Sequence, residues 1–220
     1  YDVYDIKEIQ SGKVTNLITY SKVLPKTDKP QKMRLYASLD GDSFFAENEW
    51  EMYLFPKTKK KFPENTEILY NAEEEQLFSL LEQGKNIVLF GTEPFVTLPT
   101  SCRISLAGRS SGNLATVIYN HPILKDFPHE GFCGWQFAEM LEGGSAVCFE
   151  SDKAAFLPII EVASTHKCAV RQAALFEYRA INGKIIVCGF NLSEKDPGAM
   201  YLKEKIIEYS YNFIMLKGLY

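Results

Sequence analysis

The sequence has no cysteine pair at the close spacing of a disulfide framework or a zinc site. Its five cysteines, Cys102, Cys133, Cys148, Cys168 and Cys188, stand far apart. Reduced thiols are expected, which slightly favours a cytoplasmic compartment and leaves export open. Long apolar runs are missing too; none reaches the ~18–20 residues of a membrane-spanning helix, so no membrane partner is expected. Positive charge is not in excess, with 24 Lys/Arg against 28 Asp/Glu, which excludes the basic footprint of a nucleic-acid binder. Histidine is scarce: His121, His129 and His166 show no standard ligand spacing, and no metal site is expected. There is no G-x-G-x-x-G and no Walker motif, hence no expected nucleotide cofactor. The nucleophile elbow G-x-C-x-G is absent as well, and the one G-x-S-x-G string, Gly108-Arg109-Ser110-Ser111-Gly112, does not follow the apolar strand of an elbow. The apolar strand that should feed one runs on as Gly91-Thr92-Glu93-Pro94, so no catalytic residue is assigned.

What remains is an ordinary globular composition: 220 residues, 46% apolar and 24% charged. The chain opens on Tyr1 and shows no apolar secretory segment, the pattern of an internal or processed piece. Charge divides it. Residues 1–62 carry a net of +2 and residues 63–220 a net of −6. Between them, Pro56 to Pro63 encloses a lysine run, read as a linker over 57–63. The expected units are therefore a strand region over 1–56 and an α/β domain over 64–220.

In the first unit, Lys13–Tyr20 has strand composition, and Met33–Leu39 and Glu49–Phe55 alternate with period two around an Asp40-Gly41-Asp42 turn. So few strands cannot close a sandwich. The sheet is expected to lean on the second unit or to pair with a second copy of the chain.

The second unit opens with a short strand at Ile68–Tyr70. A helix follows, capped by Asn71 and striped by Leu77, Leu80 and Leu81; then comes the apolar strand Asn86–Gly91. Ala146–Phe149 reads as a strand, Leu175–Gly189 as a hairpin around Asn182-Gly183, and Gly198–Leu216 as a closing helix. A β-α-β opening, a late hairpin and a terminal helix predict a flavodoxin-like α/β sandwich.

Two places hold candidate site residues. Glu177 lies in the otherwise apolar Leu175-Phe176-Glu177-Tyr178, where a carboxylate needs a partner. The segment from Asn120 to Phe137 gathers prolines and aromatics. In it Trp135 and Gln136 either anchor a loop, Trp135 first as a buried structural residue, or stack on and hydrogen-bond a sugar. Gly108–Asn113 is a polar excursion, and a Cys188–His166 pair is the remaining nucleophile to weigh.

His121-Pro122, Phe127-Pro128, Trp135-Gln136-Phe137, Pro158-Ile159-Ile160, Leu175-Phe176-Glu177 and Gly183-Lys184-Ile185-Ile186-Val187 occur in an order that resembles the C-terminal region of bacterial glycoside hydrolases of the family 2 type. These are the β-galactosidase- and β-glucuronidase-like enzymes. Asn48–Pro56 is similar to the strand that ends their β-sandwich. The resemblance implies a class I glutamine amidotransferase-like, three-layer α/β domain preceded by a small antiparallel β region. It further implies a non-catalytic accessory role beside upstream catalytic domains of the same polypeptide. A carbohydrate- or ligand-binding module using the Trp135 loop is the alternative, and an amidotransferase-like hydrolase a further one. Trp135, Gln136, His121 and Glu177 are the binding candidates. Phe137 and Cys133 depart from the family pattern, which has a second Trp and a His or Ser there.

Overall fold

Period-two alternation between residues 31 and 54 produces a hairpin. Strands β1 (Gln31–Gly41) and β2 (Phe44–Leu54) pair antiparallel along their whole length in a computed structural model that describes residues 2–6, 8–57, 66–102, 115–149, 157–163 and 170–215. Register sorts the side chains onto two faces. Met33, Leu35 and Leu39 oppose Met52, Trp50 and Ala46 on one, while Lys32, Arg34 and Tyr36 oppose Tyr53, Glu51 and Glu49 on the other. The turn is Asp42-Ser43, one position beyond the expected one.

Upstream, Lys13–Tyr20 forms no strand, contrary to its composition. Its Val14, Leu17, Ile18 and Tyr20 are exposed, and β-branching without a ladder partner does not make a strand. The linker reading at 57–63 falls outside the described residues from Thr58 onward, and Gly108–Asn113 and His166 lie outside them too.

The main sheet has eight strands. β3 (Thr66–Leu69), α1 (Glu74–Glu82) and β4 (Asn86–Phe90) form the one β-α-β unit among the described residues, with β3 and β4 parallel. Glu73, not Asn71, occupies the N-cap and gives no side-chain cap; Glu74 and Glu75 face the positive end of the helix dipole instead. β5 (Thr97–Pro99), β6 (Ala115–Ile118), β7 (Ser145–Phe149) and β8 (Leu157–Ala163) follow, then β9 (Arg171–Ala180) and β10 (Gly183–Cys188). Two one-turn 3-10 segments, Pro122–Leu124 and Trp135–Phe137, lead into the short α2 (Ala138–Leu141); α3 (Pro197–Met215) closes the fold.

β9 organises the sheet. β8 runs antiparallel along one edge of it, while the other edge is shared, β10 pairing with its residues 175–180 and β7 with 171–173. At the join, the Gly189 N–H donates to Ala174 O and the Ser145 N–H to Gly189 O. A Cβ on Gly189 would lie 2.1 Å from Ser145 O, so the fork admits only glycine.

This topology corrects the expected flavodoxin-like, amidotransferase-like three-layer sandwich. Among the described residues only β3–β4 and β4–β10 pair parallel, all other pairs are antiparallel, and there are three α-helices. The apolar strand Asn86–Phe90 signals burial on both faces, which one crossover unit inside a mixed sheet satisfies as well as a repeated one. Both faces are covered. Val88, Phe90, Ile186 and Cys188 pack with Leu202 and Ile206 of α3; Ile87, Leu89, Ile185 and Val187 pack with Leu77 and Leu81 of α1.

The late hairpin forms as expected, but its two-residue loop is Ile181-Asn182. Gly183 is required by a close approach, because its Cβ would lie 2.4 Å from Lys85 O.

Candidate functional site

The polar face of the first hairpin does not end in solvent. Lys32, Glu51 and Tyr53 form one wall of a cavity of about 380 Å3; Cys102, Glu130, Phe132, Cys133, Gly134, Trp135 and Gln136 supply the rest. Lys32 joins the walls, its ammonium 2.7 Å from Glu51 Oε1 and 2.8 Å from Glu130 Oε1. Arg34 stands behind, 3.6 Å from Glu51 and 3.9 Å from Glu49. Donating to Glu130 and then to Glu51 holds Lys32 charged, well above the usual lysine range, and the same bond lowers Glu130.

The opposite wall comes from the segment ending in Trp135–Phe137. In this single 3-10 turn successive side chains diverge, and their fates separate: Phe137 is 0% exposed, Gln136 8% and Trp135 75%. Phe137 stacks on Phe127 at 4.7 Å and Phe190 at 5.9 Å, so it anchors the loop. Trp135 is therefore not the buried anchor expected of it. Gln136 Nε2 donates to Pro128 O at 2.6 Å; its Oε1 is buried with no hydrogen-bond partner and lies against Gly134, where a Cβ would come within 2.8 Å. The Cys133 N–H donates to Thr116 Oγ1 at 2.8 Å, tying the loop to β6.

Burial pushes the Cys133 thiol up to about 12 and raises Cys102 as well, so the cavity presents thiols, not thiolates. Lys32 neutralises much of the field of both carboxylates. The arrangement can stack and hydrogen-bond a ligand, and it offers no activated nucleophile. Burial likewise lifts Cys188 to about 12, in keeping with a structural thiol. Among the described residues no cluster of three or more His, Cys, Asp or Glu is arranged to hold a metal ion.

His121 and Glu177 meet each other elsewhere and do not line this cavity. Glu177 on β9 lies opposite Ile186, so Lys184 is its diagonal neighbour on the same face, and the two form a buried ion pair. The Tyr209 hydroxyl on α3 donates to Glu177 Oε2 at 3.0 Å, and His121 Nε2 lies 3.5 Å from the same oxygen. His121 Nδ1 accepts the Ile123 N–H at 3.3 Å, capping the Pro122 turn, so a neutral ring carries its proton on Nε2, facing Glu177. Burial alone would raise the Glu177 carboxyl. The hydrogen bonds with His121 and Lys184, the Lys184 charge and Tyr209 outweigh burial and bring it down to about 2. The partner that Glu177 requires is thus a clamp joining β9, β10, α3 and the Pro122 turn.

Of the four candidates, Trp135 and Gln136 reach the cavity. Lys32, Glu51, Tyr53, Glu130 and Phe132 were missed. The alternation over Met33–Leu39 and Glu49–Phe55 takes in Arg34, Glu49 and Glu51 but stops short of Lys32, and nothing local says that their face meets a loop a hundred residues on.

The chain belongs to the DUF8487 family, a domain of unknown function, which matches residues 68–212. No curated protein sequence matches it.

Proposed function

We propose that this chain is a non-catalytic accessory module that binds carbohydrate in the cavity between the β1–β2 hairpin and the Trp135 loop. The observation that carries the proposal is the exposed Trp135 side chain, set on a turn whose next two residues are buried. An indole is amphipathic: it offers an apolar face for the C–H side of a sugar ring and an N–H for its oxygens. Phe132, half exposed, adds a second apolar surface, while Glu51, Glu130 and Tyr53 supply polar groups. The volume lies at the small end of ligand pockets, which run to about 300–1,000 Å3, and suits a mono- or disaccharide. A carbohydrate-processing parent polypeptide, as the sequence resemblance implies, would give such a module its use. The test is calorimetric titration of the 220-residue protein with a panel of mono- and disaccharides. Binding that disappears in Trp135→Ala, with the melting temperature unchanged, supports the reading. Absence of binding to every sugar, or equal binding by the variant, overturns it.

A second role, contact with a neighbouring β-domain of the same polypeptide, is favoured by the other hairpin face. Leu35, Phe44, Trp50 and Met52 are exposed there.

A further inference from the structure

We infer that the Trp135 cavity selects amino sugars in their cationic form over neutral sugars, and neutral sugars over uronic acids. The inference rests on the carbohydrate reading and deepens it. Its ground is the charge and hydrogen-bond balance of the walls.

On the hairpin side, Lys32 and Arg34 are two cations set among three carboxylates, Glu49, Glu51 and Glu130. One negative charge is left over. Glu142 adds another carboxylate beside the cavity, accepting the Cys102 N–H at 3.1 Å and the Ser101 hydroxyl at 3.0 Å. Among the described lining residues Lys32 alone is cationic, and it already spans Glu51 and Glu130. A ligand carboxylate would meet Glu51 and Glu130, with no arginine fork among the described lining residues to receive it. A ligand ammonium would meet those same oxygens as a donor.

Hydrogen-bond capacity points the same way. The ionised carboxylates of Glu51 and Glu130 accept only. Such walls are complementary to a donor-rich ligand, and an ammonium brings three N–H donors where a hydroxyl brings one. The thiols of Cys102 and Cys133 are neutral and add no cation. The Glu177–Lys184 pair contributes neither charge, because its members bind each other and do not line the cavity.

The closing experiment titrates the 220-residue protein with matched amino, neutral and uronic sugars of the gluco and galacto series, near pH 6 and at low salt. The amino sugar is expected to bind roughly three- to tenfold more tightly than the neutral one, and the uronate more weakly by a similar factor, as one net charge at contact range in a wet site implies. Both ratios should shrink in ~1 M salt, where the screening length falls to about 3 Å. Glu130→Gln, an exposed substitution that leaves the fold intact, should carry both ratios toward one. Uronate binding equal to or tighter than that of the amino sugar overturns the selectivity, as do ratios indifferent to Glu130→Gln, while the carbohydrate reading stands. If no sugar of either series binds, the carbohydrate reading fails and the selectivity falls with it.

Discussion

Glu177 shows how one carboxylate ties strand, helix and loop together. Glu177→Ala would leave the Lys184 ammonium, its side chain 6% exposed, without its carboxylate, and should cost about 3–5 kcal/mol in urea unfolding. The pH dependence follows from its carboxyl, which is depressed from 4.5 to about 2 on folding. A depressed carboxyl contributes stability that is whole above its unfolded value and is lost as pH falls through the folded one. Thermal melts should therefore decline between about pH 5 and pH 2, and Glu177→Gln should flatten that limb. Aromatic substitutions should divide just as sharply. Phe137→Ala is expected to cost about 3–5 kcal/mol, whereas Trp135→Ala should stay within ~0.5 kcal/mol. Sequence alone showed that Glu177 needed a partner and that aromatics cluster near Trp135. It did not show which aromatic turns inward, because a 3-10 turn has too few residues to establish a periodicity.

Among the elements, the two hairpins were the most legible, since alternation and turn residues are local signals. Their loops were each misplaced by one residue. In the β9–β10 hairpin, Asn182-Gly183 marks the turn, but Gly183 is consumed by contact with Lys85 O, and Ile181 takes the left-handed conformation at φ 58°. A β-branched residue is strained there. Ile181→Asn should accordingly stabilise the protein by about 1 kcal/mol, read as a rise in urea midpoint with an unchanged slope. The exposed apolar face of β1–β2 makes the opposite kind of prediction. Replacing Leu35 and Trp50 with Ser should reduce binding of a hydrophobic dye while leaving the body's melting temperature nearly constant. Lys13–Tyr20 was misread because composition reports preference for a strand, whereas a strand exists only where a second backbone pairs with it.

At the scale of the molecule, charge composition changes near residue 56, and Phe55 spans the change as the Lys32–Glu130 pair does. Phe55 packs on Phe127 at 5.2 Å and Tyr201 at 5.7 Å, so the end of the hairpin reaches the core of the second unit. Phe55→Ala should destabilise the whole chain, by less than the ~3–5 kcal/mol of a fully buried Phe. Strand positions in the sheet were largely readable; strand order was not, because a β-α-β opening is shared by sheets that go on to be parallel and by sheets that turn antiparallel. The fork at Gly189 carries a kinetic consequence. β7, β8 and β10 all find β9 within a short stretch of chain, whereas β4 meets β10 only across 98 positions, Asn86 opposite Lys184. Closing that long loop loses entropy before any contact repays it. The β7–β10 segment is thus the part positioned to nucleate, with β3 and β4 docking late. Ile160→Val should slow refolding, and Val88→Ala should act mainly by speeding unfolding, as the two arms of a stopped-flow chevron would record.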